Sequence, residues 1–169
     1  MNILETGRLA LRRLALTDAP FIVALLNDPD FIRFIADRGV RNEDDARQYL
    51  LGGPLAMYER CGFGLFHVSL RDGGTPIGMC GLLKRAELDD VDIGFAFLPD
   101  YRTRGYAFEI AAALLAAARA SFGVQRVVAI VDRDNARSIR LLGRLGFSFE
   151  KDILLPWHAE ELLLFGRSV

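Results

Sequence analysis

The sequence predicts a mixed α/β fold built on one central, mostly antiparallel sheet. Three observations support this class: apolar and polar residues alternate in the first half, a hairpin signal lies near the middle, and two strand–helix–strand successions occupy the second half. Strands dominate the order of elements and no G-x-G-x-x-G motif occurs, which excludes a doubly wound Rossmann domain. No repeat or linker divides the chain, so we expect residues 1–169 to form a single domain.

The first half predicts one strand and two helices. Alternation predicts a strand at residues 8–14, and Thr17 or Asp18 caps a predicted helix over 19–28 with a proline in its first turn. Asn42 caps a second predicted helix over 43–51, whose early acidic residues suit the positive end of the helix dipole. We expect the Gly52–Pro54 segment to interrupt this helix before it resumes at residues 55–60.

The second half predicts strands separated by two further helices. Residues 63–70 and 76–84 flank the turn-forming 72–74 segment and read as a hairpin, and a strand follows at 90–99. An almost wholly apolar helix is predicted over 106–122 and is therefore expected to pack on the sheet. The remaining predictions are a doubly covered β-branched strand at 124–132, a helix at 135–146 ending at Gly146, and strands at 147–155 and 161–169.

Composition excludes several classes of function. The 169 residues are 51% hydrophobic with a net charge of −1, so no overall field attracts nucleic acid or an anionic membrane. Cys61 and Cys80 are predicted to be small buried hydrophobic residues rather than a redox pair, and the two histidines lack metal-ligand spacing, so we expect no metal. No run reaches the length of a membrane span, and no signal peptide is recognised, so the cytosol is the expected location.

The segment FLPDYRTRGYAFE, residues 97–109, joins a predicted strand to a predicted helix through two arginines and a glycine. A helix start exposes backbone N–H groups without partners, and its dipole adds partial positive charge. Gly105 lets a ligand approach the backbone closely, and Arg102 and Arg104 add formal charge. A diphosphate suits such a run of amides better than a single carboxylate does. A tight turn with solvated arginines would explain the same residues, so the motif alone leaves both interpretations open.

Motifs along nearly the whole chain resemble the GNAT superfamily of N-acetyltransferases. RTRGYA, residues 102–107, matches the [QR]-x-x-G-x-[GA] turn with which that family binds acetyl-CoA. Four stretches resemble, in the same order, the branch that includes the ribosomal-protein-alanine N-acetyltransferases: TGRLALRRL, PIGMCGL, DIGFAFLPDYRTRGYAFE and DNARSIRLLGRLGF. The resemblance implies the acyl-CoA N-acyltransferase fold, with helices on both faces of the sheet and a splayed pair of strands.

The same resemblance implies a site for acetyl-CoA as cosubstrate, without a metal. The amides of Arg102, Thr103, Arg104, Gly105, Tyr106 and Ala107 would hold the pyrophosphate, and the backbone of Phe95, Ala96 and Phe97 would pair with the pantetheine arm. Asn135 and Ser138 would contact the pantetheine or its surroundings. The implied chemistry is direct attack of a free amine on the thioester, with no covalent acetyl-enzyme.

Amine acetylation requires a base for the ammonium, an acid for the departing thiolate and an N–H donor for the oxyanion, which we expect a strand bulge to free. Asp92 is the candidate base, because it precedes Ile93-Gly94, where this branch usually carries Glu; a solvent-facing aspartate is the alternative. Ser138 is the candidate acid, since Leu142 replaces the tyrosine of the wider family. Alternatively, Ser138 only bonds a helix carbonyl or CoA.

Other polar and aromatic residues carry weaker predictions. Arg137, Arg140 and Arg144 recur at helical spacing and indicate either a contact to the CoA 3′-phosphate or a solvated face, whereas Glu109 is predicted to be structural. Four aromatic residues indicate either an acceptor pocket or core: Phe31, Phe34, Tyr49 and Tyr58. Trp157 and His158 are expected in a loop at the mouth of that pocket.

Three functions remain open on the sequence. The leading prediction is an acetyl-CoA-dependent N-acetyltransferase acting on a protein N-terminus or on a small amine, namely an amino sugar, polyamine or amino acid. The second is a non-catalytic acyl-CoA sensor or scaffold, and the third is nucleotide binding at the same turn. The predicted partners are acetyl-CoA and an amine, not nucleic acid or a membrane, and a homodimer is left open.

Overall fold

An eight-stranded mixed sheet runs through the structure, a computed structural model that describes residues 1–169. Its strands are β1 (Asn2–Glu5), β2 (Leu9–Arg13), β3 (Leu65–Leu70), β4 (Pro76–Leu83), β5 (Val91–Phe97), β6 (Arg126–Val131), β7 (Ser148–Ile153) and β8 (Leu162–Ser168). The order across the sheet is β1-β2-β3-β4-β5-β6-β8-β7, and β5–β6 is the one parallel pair of neighbours. The predicted mixed, mostly antiparallel class is confirmed.

Six α-helices cover both faces of this sheet, as predicted. They are α1 (Ala19–Leu26), α2 (Pro29–Phe34), α3 (Glu43–Leu50), α4 (Ala56–Cys61), α5 (Tyr106–Phe122) and α6 (Ala136–Arg144). Neighbouring residues of a strand face opposite sides of the sheet. Accordingly, Met79 packs with α1 and α3, whereas Cys80 and Leu82 pack in the larger core with α5 and α6.

Local sequence signals explain most element boundaries. The Asn42 side chain accepts a hydrogen bond from the Asp45 amide and begins α3, as predicted. Gly146 adopts a positive φ of 84° after α6, which also confirms the expected left-handed residue. The β3–β4 hairpin turns at Gly73 and Gly74, which both have positive φ. In β6, Val127, Val128 and Ala129 are all buried, so this strand is covered on both faces as its composition indicates.

Three features differ from the sequence predictions. β1 is an additional edge strand, and α2 is a separate helix that begins when the Asp28 side chain accepts from the Phe31 amide. The predicted interruption at Gly52–Pro54 is wrong, because a π-helical turn over Leu51–Leu55 carries the chain from α3 into α4. The hydrogen bonds of a π-helical turn span five residues rather than the four of an α-helix. Pro54, which has no N–H to donate, is accommodated inside this wider turn.

The centre of the sheet is open on one side. β5 and β6 pair only at Val91↔Val127 and Asp92↔Val128, and the two strands part beyond that point. β4 and β5 pair from Gly78↔Phe97 to Leu83↔Asp92 without a register shift, so the bulge expected from the sequence is not found there. The splayed pair of strands is present, and it is this parting that leaves one edge of β5 without a partner strand.

Candidate active site

The free edge of β5 presents peptide groups to the space between the parted strands. The Leu98 amide donates to the Ile77 carbonyl of β4 at 2.9 Å. Successive residues of a strand direct their peptide groups to opposite edges. The N–H and C=O groups of Phe95 and Phe97 therefore point away from β4 and toward the cleft, where the Phe97 carbonyl already accepts from Arg102 Nε. An extended polar chain laid along this edge would find the hydrogen-bonding groups of a missing strand.

The start of α5 leaves a run of backbone amides without acceptors. The first helical amide with a protein partner is that of Glu109, which donates to the Gly105 carbonyl at 3.0 Å. The amides of residues 103–108 make no hydrogen bond within the protein. Thr103 and Gly105 both have positive φ, at 60° and 80°, and Thr103 is the only non-glycine residue of the chain that does. Such a left-handed β-branched residue is strained and is typical of a functional turn.

The side chain of Arg102 does not stand free beside this turn, which differs from the sequence prediction. Its Nε donates to the Phe97 carbonyl at 3.0 Å, and its terminal nitrogens pair with Asp28 and with Asp30 at 3.1 Å. The Arg102 amide is also engaged, since it donates to the Pro99 carbonyl at 3.2 Å. Two acidic residues of the α2 region thus neutralise Arg102, which fixes the turn against α2 rather than adding charge for an anion.

A cavity of about 290 Å³ begins at these amides and continues along the free edge of β5. Thr103, Gly105 and Ala107 line one end, and the 95–97 edge lines its length. Arg137, Arg140 and Arg144 of α6 line the opposite wall. The contacts of these side chains differ. Arg137 pairs with Asp30 at 3.0 Å, and the Arg144 guanidinium carbon lies 4.5 Å from the centroid of the Phe108 ring. Arg140 has no partner within the protein. Arg140 is therefore the α6 guanidinium available to an anionic ligand.

A second cavity of about 130 Å³ lies on the β6 and β8 side of the cleft. It shares five lining residues with the first: Phe34, Ile35, Phe95, Asn135 and Ser138. Asp92, Arg85, Arg38 and Trp157 line only the second cavity. A ligand laid along β5 and a second ligand entering beside Asp92 would meet at these shared residues. The two cavities are thus joined and offer space for two ligands side by side.

Asp92 is buried at the base of this second cavity, with 1% of its surface exposed. Burial raises the pKa of Asp92 to about 6, although the positive charge and hydrogen bonds of Arg85 oppose that rise. Arg85 Nε contacts the two carboxylate oxygens at 3.1 and 3.2 Å. The solvent-facing alternative for Asp92 is excluded by its burial. A carboxylate with a pKa near neutrality can exchange a proton at physiological pH.

Asn135 and Ser138 both lie at the junction of the two cavities. The Asn135 side-chain oxygen accepts from the Ser138 amide at 3.2 Å and caps α6, which leaves the Asn135 amide nitrogen free to donate. The Ser138 hydroxyl makes no hydrogen bond within the protein, so the alternative of a bond to a helix carbonyl is not found. Both free donors border the space where the two reactants would meet.

The other predicted residues divide between core and cavity. Tyr58 belongs to the core, where its hydroxyl accepts from the Leu14 amide and donates to the Leu65 carbonyl. Phe31 is buried but also lines the first cavity, while Phe34 lines both. Trp157 and His158 lie in the β7–β8 loop at the second cavity. Tyr49 packs against the α1–α3 core and lines neither cavity.

Glu109 and Cys80 have structural surroundings, whereas Cys61 packs against the core but is only partly buried, which differs from its prediction. Glu109 accepts hydrogen bonds from the Thr6 hydroxyl and the Arg8 backbone and side chain, which joins α5 to the start of β2. Burial raises the pKa of the Cys80 thiol to about 12, so this cysteine behaves as a buried hydrophobic residue. No group of three or more His, Cys, Asp or Glu side chains is placed to hold a metal ion. None of the helices has both the length and the apolar character of a membrane span.

Sequence reasoning missed three charged residues of the second cavity. Arg85, Arg38 and Asp132 line it, and none belongs to a motif. Arg85 follows β4 in a loop, and only the β4–β5 pairing returns it to Asp92. The available signal was indirect: if Asp92 is buried, it requires a cationic or hydrogen-bonding partner, and Arg85 is a nearby cation in the chain.

Comparisons with known proteins agree with this geometry. The family model described as "Acetyltransferase (GNAT) domain" matches residues 8–148. An uncharacterized N-acetyltransferase of Bacillus subtilis, YoaA, is 28% identical over 149 residues, which cover 88% of this chain and 84% of YoaA. The crystal structure of an acetyltransferase from Agrobacterium tumefaciens is 25% identical, with a TM-score of 0.80 over 97% of this chain and 92% of that one.

A further likeness concerns the fold alone. RimL, a ribosomal L7/L12 α-N-protein acetyltransferase solved in complex with coenzyme A, superposes with a TM-score of 0.85 at 16% identity, covering 100% of this chain and 98% of RimL. The family model covers most of the chain and includes the parted strands, the free amides and most residues that line the two cavities. The chain therefore belongs to the GNAT family of N-acetyltransferases.

Proposed function

We propose that this protein transfers an acetyl group from acetyl-CoA directly to a primary amine through a ternary complex. The observation that carries the proposal is the meeting of two cavities at Phe95, Asn135 and Ser138, one bordered by free amides and the other by a buried carboxylate. A ping-pong enzyme needs one site that its substrates occupy in turn, whereas two joined cavities suit simultaneous binding. Our further proposals are membership of the ribosomal-protein-alanine branch and a cytosolic location.

The first cavity suits the diphosphate and pantetheine parts of acetyl-CoA, which supplies the activated acetyl group. Amides 103–108 offer several N–H donors to one diphosphate, and the α5 dipole adds to their attraction. The free edge of β5 offers alternating donors and acceptors to the amides of the pantetheine arm. Arg140 adds an unpaired positive charge on the α6 wall. These residues fit the cosubstrate without Arg102, whose side chain is neutralised.

Asp92 is the proposed base. An alkylammonium must lose a proton before its nitrogen can attack, and Asp92 borders the cavity through which the amine would enter. Its raised pKa matches a group that accepts a proton near neutral pH. Arg85 keeps part of the Asp92 population ionised and holds the carboxylate in one orientation. Because Asp92 is short and deeply buried, a water molecule is the natural relay between it and the amine.

Ser138 and the β5 edge complete the proposed proton and charge transfers. The Phe95 N–H points into the cleft and is the proposed donor to the carbonyl oxygen as that oxygen gains negative charge. The unpaired Ser138 hydroxyl is the proposed proton donor to the departing thiolate, and the proton that the nitrogen loses as the amide forms returns to Ser138 through water. A thiol has a pKa of about 8.5, so a weak acid suffices for this step.

Release of free thiol from acetyl-CoA, measured with a panel of amines and N-terminal peptides, tests the proposed function. We expect turnover with at least one acceptor and intersecting initial-velocity lines when both substrates are varied. Parallel lines would contradict the ternary complex. Coenzyme A binding by calorimetry without turnover on the full panel would instead support the sensor hypothesis.

Arg140→Ala is expected to raise the KM for acetyl-CoA about tenfold with little change in kcat. A hydrogen bond to a charged group contributes about 1.5 kcal/mol, and a tenfold change corresponds to about 1.4 kcal/mol. Arg119→Ala is the matched control, because Arg119 is exposed on α5 and lines neither cavity. Equal KM values for the two variants would remove Arg140 from the binding site.

A further inference from the structure

Two guanidinium groups with free donors face the second cavity. Arg38 lines it, is exposed and has no hydrogen bond or ion pair within the protein. Arg85 uses its Nε for Asp92, and its two terminal nitrogens have no protein partner. The Trp157 ring lies 5.4 Å from the Arg85 guanidinium carbon and limits its movement. The cavity therefore holds donors for an anion that the catalytic machinery does not use.

These cationic groups lie outside the junction of the two cavities. Neither Arg38 nor Arg85 lines the first cavity or its junction with the second. Both line the same cavity of about 130 Å³. The two guanidinium groups thus border one small space, as recognition of a single anionic group requires.

The other charges of the cavity are acidic. Asp92 and Asp132 line it, and the Asp132 carboxylate accepts from the Asp134 amide at 2.8 Å. His158 uses its Nδ1 on the Glu160 backbone. One cavity therefore offers carboxylates to a positive group and guanidinium donors to a negative one. A ligand with both charges, a short distance apart, complements this pattern.

We propose that the acceptor is a free amino acid, a primary amine that also carries a carboxylate. This inference rests on the proposed function and names the substrate class of the same site. The ammonium group lies toward Asp92 and the junction, and the carboxylate is bound by Arg38 and the free terminal nitrogens of Arg85. Guanidinium groups are the side chains best suited to planar carboxylates.

The size and charge of the cavity disfavour the other amines. Its volume of about 130 Å³ has room for a small amino acid. A polyamine would place a second positive charge beside Arg38 and Arg85, and like charges at this distance repel. An uncharged amine would leave the guanidinium donors without an anion. The carboxylate therefore acts as the specificity element.

The test compares each L-amino acid with its own carboxamide as acceptor, by thiol release at fixed acetyl-CoA. We expect kcat/KM to be at least tenfold higher for the acids than for the amides, with amines that have no anion at the low end. Turnover of amides and uncharged amines at equal efficiency overturns the inference while leaving the proposed function standing. Preference for an aminoalkyl phosphate over every amino acid also overturns it. Lack of turnover with any amine overturns the proposed function itself.

Arg38 variants test the residue assignment. Arg38→Gln is expected to lower kcat/KM for amino acids about tenfold. It should leave kcat/KM for the carboxamides and the KM for acetyl-CoA unchanged. Arg38→Lys should restore part of the loss. Arg60→Gln is the matched control, since Arg60 is exposed on α4 outside both cavities. Equal losses for acids and amides in Arg38→Gln would show a general structural effect and overturn the carboxylate assignment.

Discussion

Gly105→Glu is expected to lower coenzyme A affinity about a thousandfold while the protein remains folded. Gly105 lies among amides 103–108 and lines the first cavity. A carboxylate about 4 Å from one phosphate charge is repelled by about 4 kcal/mol at an effective dielectric constant of 20, and about 1.4 kcal/mol is a tenfold change in affinity. Isothermal titration of coenzyme A measures the loss, and far-UV circular dichroism reports whether the fold is kept.

Gly123→Glu is the matched control for this substitution. Gly105 and Gly123 flank the two ends of α5, and both have positive φ, at 80° and 69°. Each substitution therefore imposes the left-handed strain of a side chain, about 1–2 kcal/mol. Only Gly105 borders the cavity, so Gly123→Glu should lower the melting temperature without weakening coenzyme A binding. Parent-like affinity in Gly105→Glu would place the diphosphate elsewhere.

The amides at this turn could be predicted from sequence because their causes are local. A strand, a glycine and a helix within a few residues determine which N–H groups lack acceptors. The role of Arg102 could not be predicted in the same way. Its partners Asp28 and Asp30 lie more than 70 residues earlier in the chain, and only packing brings α2 against the turn. The positive charge of Arg102 beside the motif was therefore predicted correctly, but its predicted contact with a ligand anion was wrong.

The environment of Asp92 is likewise a product of tertiary structure. Alternation places Asp92 on a strand, but its burial and the parting of β5 from β6 depend on chain segments far apart. The contact with Arg85, 7 residues earlier, forms only once β4 and β5 pair. The expected strand bulge illustrates the limit of the resemblance. The β4–β5 register is regular, and the free peptide groups come from the parted strands instead.

Local signals were also misread in two places. The sequence Asp28-Pro29 is a strong helix start, with an N-cap residue and proline at the first position, so α2 was recognisable before the structure. Gly52, Gly53 and Pro54 indicate a break on propensity, yet the packing of Leu50 and Pro54 in the interior keeps the chain helical there. Burial outweighs a propensity difference of a few kcal/mol.

Asp92→Asn is expected to lower kcat/KM by about 10²–10⁴-fold, the range that general acid–base catalysis contributes. In the parent protein, the titration of Asp92 should make kcat/KM rise with pH through about 6 and level off above it. Burial raises the pKa of Asp92 to that value, and only the ionised form accepts a proton. An asparagine has no such titration, so the break near pH 6 should vanish in the variant. Coenzyme A affinity should be unchanged, since Asp92 does not line the first cavity.

Asp90→Asn is the control that separates catalysis from loss of a nearby negative charge. Asp90 lies immediately before β5, close to Asp92 in the chain, but its carboxylate pairs with Arg126 at 3.1 Å and lines neither cavity. It should keep the parent rate and the break near pH 6. If Asp92→Asn retained both, the buried carboxylate would serve only to hold Arg85, and the proton would have to leave the amine through water at the junction. Because Asp92 would then serve to hold Arg85 for acceptor binding, its loss should change the KM for the acceptor more than kcat, which steady-state kinetics resolves.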